Sequence, residues 1–341
     1  MSATSAEASL LAAARDGDEA SFRALTAPYA RELHVHCYRM LGSLHDAEDA
    51  YQETLLRAWR HLGGFEARSS FRAWLYRIAT NACLAAAAAR KPEPLPPAPY
   101  PTTAEEDSIP LSPYPDAWLD ELPSPADEPA ARYDLVESVQ LAFLAAVQLL
   151  PPRQRAVLLL RDVLGFAAAE VAELLDTSAA SVNSALQRAR ETLDKRRADG
   201  RLELDRTVPP DDVQRSLVRR YVESWRAVDI EGLVGLLRED VIMTMPPFPL
   251  LFKGRREIGD FFSTVPLGGR LDQIPLIPTR ANRQPALAGY VLDEEAGVYR
   301  AYGIQVFSLD GDAIAEITGF GDPSLFPLFG LPSELKEPSR H

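Results

Sequence analysis

The stretch Leu158–Leu193 reads LLLRDVLGFAAAEVAELLDTSAASVNSALQRARETL and carries side chains suited to recognition rather than bond-making. Val182, Leu186, Ala189 and Leu193 recur at helical spacing and form one apolar stripe. Ser181, Ser184, Gln187 and Arg188 project from the opposite side. Hydroxyl, amide and guanidinium groups on a helix of small residues can hydrogen-bond base edges in a major groove. Periodicity alone equally suits an ordinary helical hairpin. What favours recognition of DNA is a second pattern in the N-terminal ninety residues.

Those residues must fold into elements that present such groups. ASLLAAARDG and EASFRALTAPYARELHVHCYRMLG have helical spacing, punctuated by Gly17 and Gly42. Asp46 is a good N-cap for a third helix, DAEDAYQETLLRAWRHLGG, and a fourth runs from about Ser70 to Ala89. Four helices with short connections predict a compact all-α domain over residues 8–90. On the third, Asp46, Asp49, Glu53 and Arg57 lie within roughly 80° of one another, with Tyr51, Leu55, Ala58 and Leu62 on the buried face. On the fourth, Phe71, Leu75, Ile78 and Ala82 make the buried stripe. Ala73, Tyr76, Arg77 and Thr80 face outward, with Trp74 and Asn81 at the edges. An aromatic ring beside a cation and an amide suits unstacked single-stranded DNA.

The 341 residues leave room for two or three domains. Residues 91–131 hold 12 of the 28 prolines and nine acidic groups against one basic. Such a segment cannot bury enough apolar surface to order itself and reads as an extended anionic linker. It accounts for most of the net charge of −13; residues 1–90 and 132–210 are each neutral. A neutral domain binds free DNA weakly, which implies help from a partner. Helices resume over 132–200. From Asp211 a helical stretch through Asp240 is followed by strand-like runs at 241–245, 298–311 and 313–320, with Asp310–Gly311 centring a hairpin turn. Residues 211–332 therefore predict an α+β domain with helices packed on one curved sheet. Two cysteines, Cys37 and Cys83, make neither a disulfide framework nor a metal site. The sequence shows no transmembrane segment and no convincing signal peptide, and a cytoplasmic location is expected.

Tyr38–Arg90, with DAED, QETLLRAWR and RSSFRAWLYRIATNAC in order, closely resembles region 2 of sigma-70 family RNA polymerase sigma factors of the extracytoplasmic-function (ECF) type. Pro151–Leu193 resembles region 4 of the same family. The resemblance implies that RNA polymerase core enzyme and promoter DNA are the partners. It assigns Asp46, Asp49, Gln52, Glu53 and Arg57 to core binding. It gives the −10 element to the fourth helix (Trp74, Tyr76, Arg77, Asn81) and the loop before it (Phe65, Arg68, Ser69). It places Arg188 and Arg190 on the −35 element, with Ser181, Asn183, Ser184 and Gln187 in or beside the groove, and Thr177 or Ser178 capping the helix. In the family the linker threads the polymerase cleft and exit channel, where its anionic chain would mimic RNA.

YVESWRAVDIEGLVGLLREDVIMTMPPFPLLFKGRREIGDFF resembles SnoaL-like domains, which are cone-shaped α+β barrels. That resemblance allows a small-molecule ligand in the cone. Asp229, Asp240, Asp260 and Glu316 are scattered and form no catalytic set, so neither catalysis nor a cofactor is expected. One branch of sigma factors with this domain carries a DGGGR-like motif after its first strand. This chain has Met245–Pro246–Pro247–Phe248–Pro249 there, placing it in another branch. The resemblance implies a regulatory role in cis and leaves the existence of an anti-sigma partner open. The competing reading is a ligand-binding or enzymatic cone fused to a DNA-binding sensor. Such a sensor has no use for the two further helical patterns of residues 38–90.

Overall fold

The computed structural model describes residues 3–66, 70–90, 111–120, 138–198 and 206–336. They fall into two compact units. One comprises Met1–Pro92 with Trp118–Leu202; the other comprises Glu93–Ala117 with Glu203–His341.

The first unit is all helical. It begins with α1 (Ala3–Arg15), α2 (Glu19–Thr26), α3 (Ala30–Leu41), α4 (Leu44–His61) and α5 (Phe71–Ala89). Among the described residues five helices stand here rather than four, because Pro28 has no N–H to continue the ladder and a 3₁₀ turn at Ala27–Tyr29 separates α2 from α3. Local chemistry sets the boundaries. The Asp18 carboxylate accepts from the Ala20 and Ser21 amides at the start of α2. Gly42 ends α3 in the left-handed region at φ 75°. Ser70 caps α5 through the Ala73 amide.

The later helices are α6 (Asp116–Leu119), α7 (Leu141–Gln148), α8 (Pro152–Leu158), α9 (Ala168–Leu174) and α10 (Ala179–Ala198). A π turn at Leu159–Val163 extends α8. The turn between α9 and α10 passes through Asp176 at φ 51°, a conformation that aspartate tolerates better than most side chains.

The second unit is an α+β cone. Helices α11 (Asp211–Arg226), α12 (Ile230–Gly235) and α13 (Gly254–Thr264) accompany strands β1 (Leu237–Met245), β2 (Phe248–Lys253), β3 (Leu276–Ala281), β4 (Gln284–Asp293), β5 (Val298–Asp310), β6 (Ala313–Phe320) and β7 (Glu334–Leu335). The sheet order is β2-β1-β6-β5-β4-β3, with β7 paired to β5. The β1–β6 pair is parallel and every other pairing in the sheet is antiparallel.

Several expected boundaries shift. The helical stretch from Asp211 ends at Arg226, and Leu237–Asp240 belong to β1, where Leu237, Val241 and Met243 face the core. In the β5–β6 hairpin Asp310 pairs with Ala313, so Gly311 and Asp312 form the turn, with Gly311 at φ 59°. The expected strands omitted β2, β3 and β4, each of which contains a proline. Pro278 is accommodated because β3 is the edge strand, bonded along its length to β4 alone.

Aromatic side chains fill the interior of the cone. Tyr221 and Trp225 on α11 lie with ring centroids 5.9 Å apart. Tyr221 meets Phe307 of β5 at 4.9 Å, and Trp225 meets Phe262 of α13 at 5.5 Å. Both polar tips are satisfied: the Trp225 indole donates to the Ile274 carbonyl at 3.0 Å and the Tyr221 hydroxyl to Gln305 at 3.0 Å.

Part of the expected linker is ordered. Residues 91–110 and 121–137 lie outside the described residues, but Leu111–Asp120 are structured. In the second unit Tyr114 is fully buried against the β3–β4 turn. Its amide donates to the Asn282 side chain at 2.8 Å, and the Asn282 amide returns a bond to its carbonyl at 2.9 Å. The Asp116 carboxylate accepts from the Arg283 amide at 2.7 Å and from the Arg280 guanidinium at 3.1 Å. Asn282 and Arg283 both have positive φ, 57° and 61°, and these bonds fix that turn. In the first unit Trp118 lies against His34, with the Arg31 guanidinium 5.0 Å from its ring centre. A composition that cannot build a core has here borrowed two.

Trp225→Ala should destabilise the second unit by about 3–5 kcal/mol, the cost of a large vacated core site. Urea unfolding of the full chain, with tryptophan-independent circular dichroism as the probe, measures it. A loss under about 1 kcal/mol would show that the interior repacks and is not rigidly filled.

Candidate polymerase and nucleic-acid interface

Helix α4 presents the row expected to bind core enzyme. Its cap is Ser43, whose hydroxyl accepts from the Asp46 amide at 3.2 Å, rather than Asp46 itself. That frees the Asp46 carboxylate to pair with Arg90 at the end of α5. Asp49 is exposed beside His45 at 3.7 Å. The Gln52 amide donates to Glu48 at 2.7 Å, and Glu53 holds Arg57 at 2.6 Å. The buried stripe is Ala47, Ala50, Thr54 and Ala58; the expected Tyr51 and Leu55 are only half-buried. Small residues here let α4 approach α3 and α5 closely. The same outer face carries Leu56, 50% exposed, which periodicity passed over because leucine was assigned inward.

Helix α5 departs furthest from expectation. Phe71, Leu75 and Ala82 are buried as expected, but so are Ala73, Tyr76 and Thr80. Tyr76 therefore does not face outward. Its ring meets His36 at 5.1 Å and Phe166 at 5.5 Å, with the Arg72 guanidinium 4.8 Å away. Thr80 bonds His36 Nε2 at 2.9 Å. The helix is buried on two sides because helices from both ends of the unit pack against it. Arg77 and Asn81 are exposed. Trp74 is half-buried and stacks on Phe71 at 5.5 Å, while Phe65 is buried against both rings. Arg68 and Ser69 lie outside the described residues.

On α10 the expected reading face is exposed throughout: Ser178, Ser181, Asn183, Ser184, Gln187, Arg188 and Arg190. Ser178 caps the helix, its hydroxyl accepting from the Ser181 amide at 3.2 Å. Val182, Leu186 and Ala189 are buried as the stripe required. The two arginines differ. Arg190 is held bidentately by Asp162, at 2.8 and 3.0 Å, which ties α10 to the π turn after α8. Among the described residues the Arg188 side chain makes no such pairing. Gln187 donates to Glu191 at 2.9 Å.

The four carboxylates of the cone stay apart. Asp229 caps α12 through the Gly232 amide, Asp240 pairs with Arg238, Glu316 pairs with Arg206 at 3.0 Å, and Asp260 sits on α13. Among the described residues no cluster of histidine, cysteine, aspartate or glutamate could hold a metal ion. An open cleft of ≈ 240 Å³ lies beside α11 and β3, lined by Val222, Trp225, Arg226, Asp272, Ile277 and Tyr299. It is smaller than the ~300–1,000 Å³ usual for ligand sites. No helix among the described residues is long and apolar enough to cross a membrane.

Two helical modules of this kind, one with an acidic outer row and one with a turn-helix reading face, define a transcription initiation factor of the sigma class. Residues 25–92 match the family model of sigma-70 region 2, and residues 140–193 match that of sigma-70 region 4. The chain is 43% identical over 325 residues to the ECF RNA polymerase sigma factor SigG of Mycobacterium tuberculosis, spanning 94% of this chain and 86% of that one. It is 30% identical over 187 residues to SigW of Bacillus subtilis, 54% of this chain and 93% of the other. The crystal structure of the ECF sigma factor SigJ of Mycobacterium tuberculosis shares the fold at a TM-score of 0.56 and 22% identity, covering 89% of this chain and 96% of that chain. The chain belongs to the ECF family of RNA polymerase sigma factors, and promoter-directed initiation is its function.

Two histidines brace this interface from beneath. Burial pulls His36 down to about 3 and His34 down to about 4, the latter against the opposing pull of Glu48, 3.1 Å away. Both imidazoles are neutral in the folded protein, so protonation favours the unfolded chain, whose histidines titrate near 6.5. Stability of the first unit is therefore complete above pH 6.5 and falls as the pH drops toward 4. The urea midpoint at pH 5 should lie below that at pH 7, and His36→Gln should flatten the difference. Equal midpoints in wild type would refute the assignment.

Proposed function

We propose that residues 8–90 bind core polymerase and the −10 element, that 132–200 bind the −35 element, and that residues 211–332 tune both in cis. What carries this reading is the presence on one chain of an acidic outer row on α4 and an exposed polar face on α10. The row of Asp46, Asp49, Gln52, Glu53 and Arg57 meets the polymerase, with Leu56 as its apolar anchor. Trp74, Arg77 and Asn81, with the loop Phe65–Ser70, engage the opened −10 strand. Tyr76 supports them from below rather than stacking on a base.

On α10 the phosphate or purine contact falls chiefly to Arg188. Arg190 holds the helix in place through Asp162, and Ser181, Asn183, Ser184 and Gln187 line the groove. Thr177 and Ser178 present the helix N-terminus to a phosphate.

The cone serves regulation rather than catalysis. Its interior is occupied by Tyr221, Trp225, Phe262 and Phe307, and its carboxylates are engaged in caps and ion pairs. A ligand, if one binds, has the cleft beside Arg226 and Tyr299 to use. The protein works in the cytoplasm, alongside its polymerase.

Mixing the full chain with sigma-free core enzyme tests this. The wild type should co-elute with core and initiate at specific promoters, and Asp49→Ala with Glu53→Ala should weaken that association at least tenfold. Truncation near Arg206 should change initiation severalfold; unchanged transcription would remove the regulatory role. Arg188→Ala should weaken promoter binding and lower the slope of affinity against salt by about 1. Arg190→Ala should leave that slope alone and cost less than ~1 kcal/mol of stability, its ion pair with Asp162 being largely exposed. Equal slopes for wild type and Arg188→Ala would reassign the contact.

A further inference from the structure

Within the first unit, residues 138–198 pack directly on α3 and α5, and the seam is unusually rich in cations. Arg155, on α8, is 6% exposed. Its guanidinium donates across the seam to the Met40 carbonyl at the end of α3. It also donates to the Gln148 carbonyl at 2.7 Å and the Leu150 carbonyl at 3.1 Å. The Gln148 side chain crosses beside it and donates to the Arg39 carbonyl at 3.0 Å. The last carbonyls of α3 have no partners within their own helix, and the negative end of its dipole lies there, which suits a cation.

The second contact is Phe166, in the turn before α9 and 6% exposed. Its ring lies 5.5 Å from that of Tyr76. The Arg72 guanidinium sits over both rings, 4.8 Å from Tyr76 and 5.5 Å from Phe166. Arg72 is itself held bidentately by Glu32 of α3. Arg161 donates to the Phe166 carbonyl and so fixes the turn that carries the ring.

A permanent core seldom buries guanidinium groups, because removing a cation from water is costly unless a carboxylate compensates it. Arg155 is surrounded by carbonyls instead, and burial pulls it down to about 10. Separating the two faces would rehydrate that cation, and the gain offsets part of the cost of exposing the Phe166 ring to water. Such a seam has the polar character of interfaces that open and close.

We propose that residues 138–198 are latched onto α3 and α5 in the free protein by Arg155 and Phe166, and that binding to core polymerase releases the latch. The release step rests on the sigma-factor reading above; the latch itself does not.

Spin labels at Ala86→Cys on α5 and Glu173→Cys on α9 report the seam in the full chain. Both positions are exposed, whereas the native Cys37 and Cys83 are buried. Pulsed electron paramagnetic resonance should give one narrow distance distribution for the free protein. Phe166→Lys, which removes the ring and sets a second cation beside Arg72, should broaden and lengthen it. Arg155→Met should do the same, and Phe166→Leu should restore the narrow distribution. Adding core enzyme to the unsubstituted seam should lengthen the distance. Both opening variants should bind core about fivefold faster or more, since affinity scales with the fraction already competent. Circular dichroism of each variant separates opening from unfolding. A narrow, unchanged distribution in Phe166→Lys and Arg155→Met would overturn the latch. Holoenzyme distances equal to those of the free protein would overturn its release. Failure of every form to bind core would refute the sigma-factor reading, while the free-protein distances would still decide the latch.

Discussion

The Arg72 guanidinium is the point on which the helical unit converges. It leaves α5, is clasped by Glu32 of α3, and lies between the rings of Tyr76 and Phe166. One side chain thus joins α3, α5 and the turn before α9. A planar, always-charged group can satisfy a carboxylate in its plane while offering its faces to aromatic rings. Lysine could not meet both demands. The orientation of α5 follows from this clasp: Tyr76 and Thr80 turn inward toward His36, while Arg77 and Asn81 remain at the surface.

The second unit makes a different use of aromatic residues. Cone-shaped α+β folds can enclose a cavity, and chemistry then depends on what lines it. Here Tyr221, Trp225, Phe262 and Phe307 occupy the interior with their polar tips satisfied, leaving only a small open cleft at the side. A filled cone is a rigid body with well-defined outer surfaces. That suits a domain whose effect is exerted through the surface it offers, as the β3–β4 turn does when it binds Tyr114 and Asp116.

Much of this was legible in the sequence where one physical signal dominated. The α10 stripe of Val182, Leu186 and Ala189 fixed its reading face, and the helix boundaries near Ser70 and Gly42 followed from caps and glycine. The acidic row of α4 lies on the outer face that helical spacing gives it. What failed to show was anything decided by a distant partner. Tyr76 and Thr80 look outward on a helix buried on one side only, and nothing local reveals that α5 is covered twice. Pro249, Pro278 and Pro285 hid three strands, because edge position and register, not composition, make a proline acceptable. The acidic linker hid an ordered turn for the same reason, since Asn282 lies far away in the chain. The pairing of Arg190 with Asp162 likewise becomes visible only when α8 and α10 meet.

That last pair bears on how such a protein shares a cell with its chromosome. Non-specific attraction to DNA grows with each cation free to displace a counterion. A factor with a strongly basic reading helix would be spread over the vast excess of ordinary sequence, and little of it would remain for its polymerase. On α10 one of the two reading-face arginines is already neutralised by Asp162, and Glu191 sits beside Gln187. The helix keeps its hydrogen-bonding pattern while shedding much of its electrostatic reach. Bulk DNA is then a poor competitor, and the supply of unbound factor is set by its synthesis rather than by the genome.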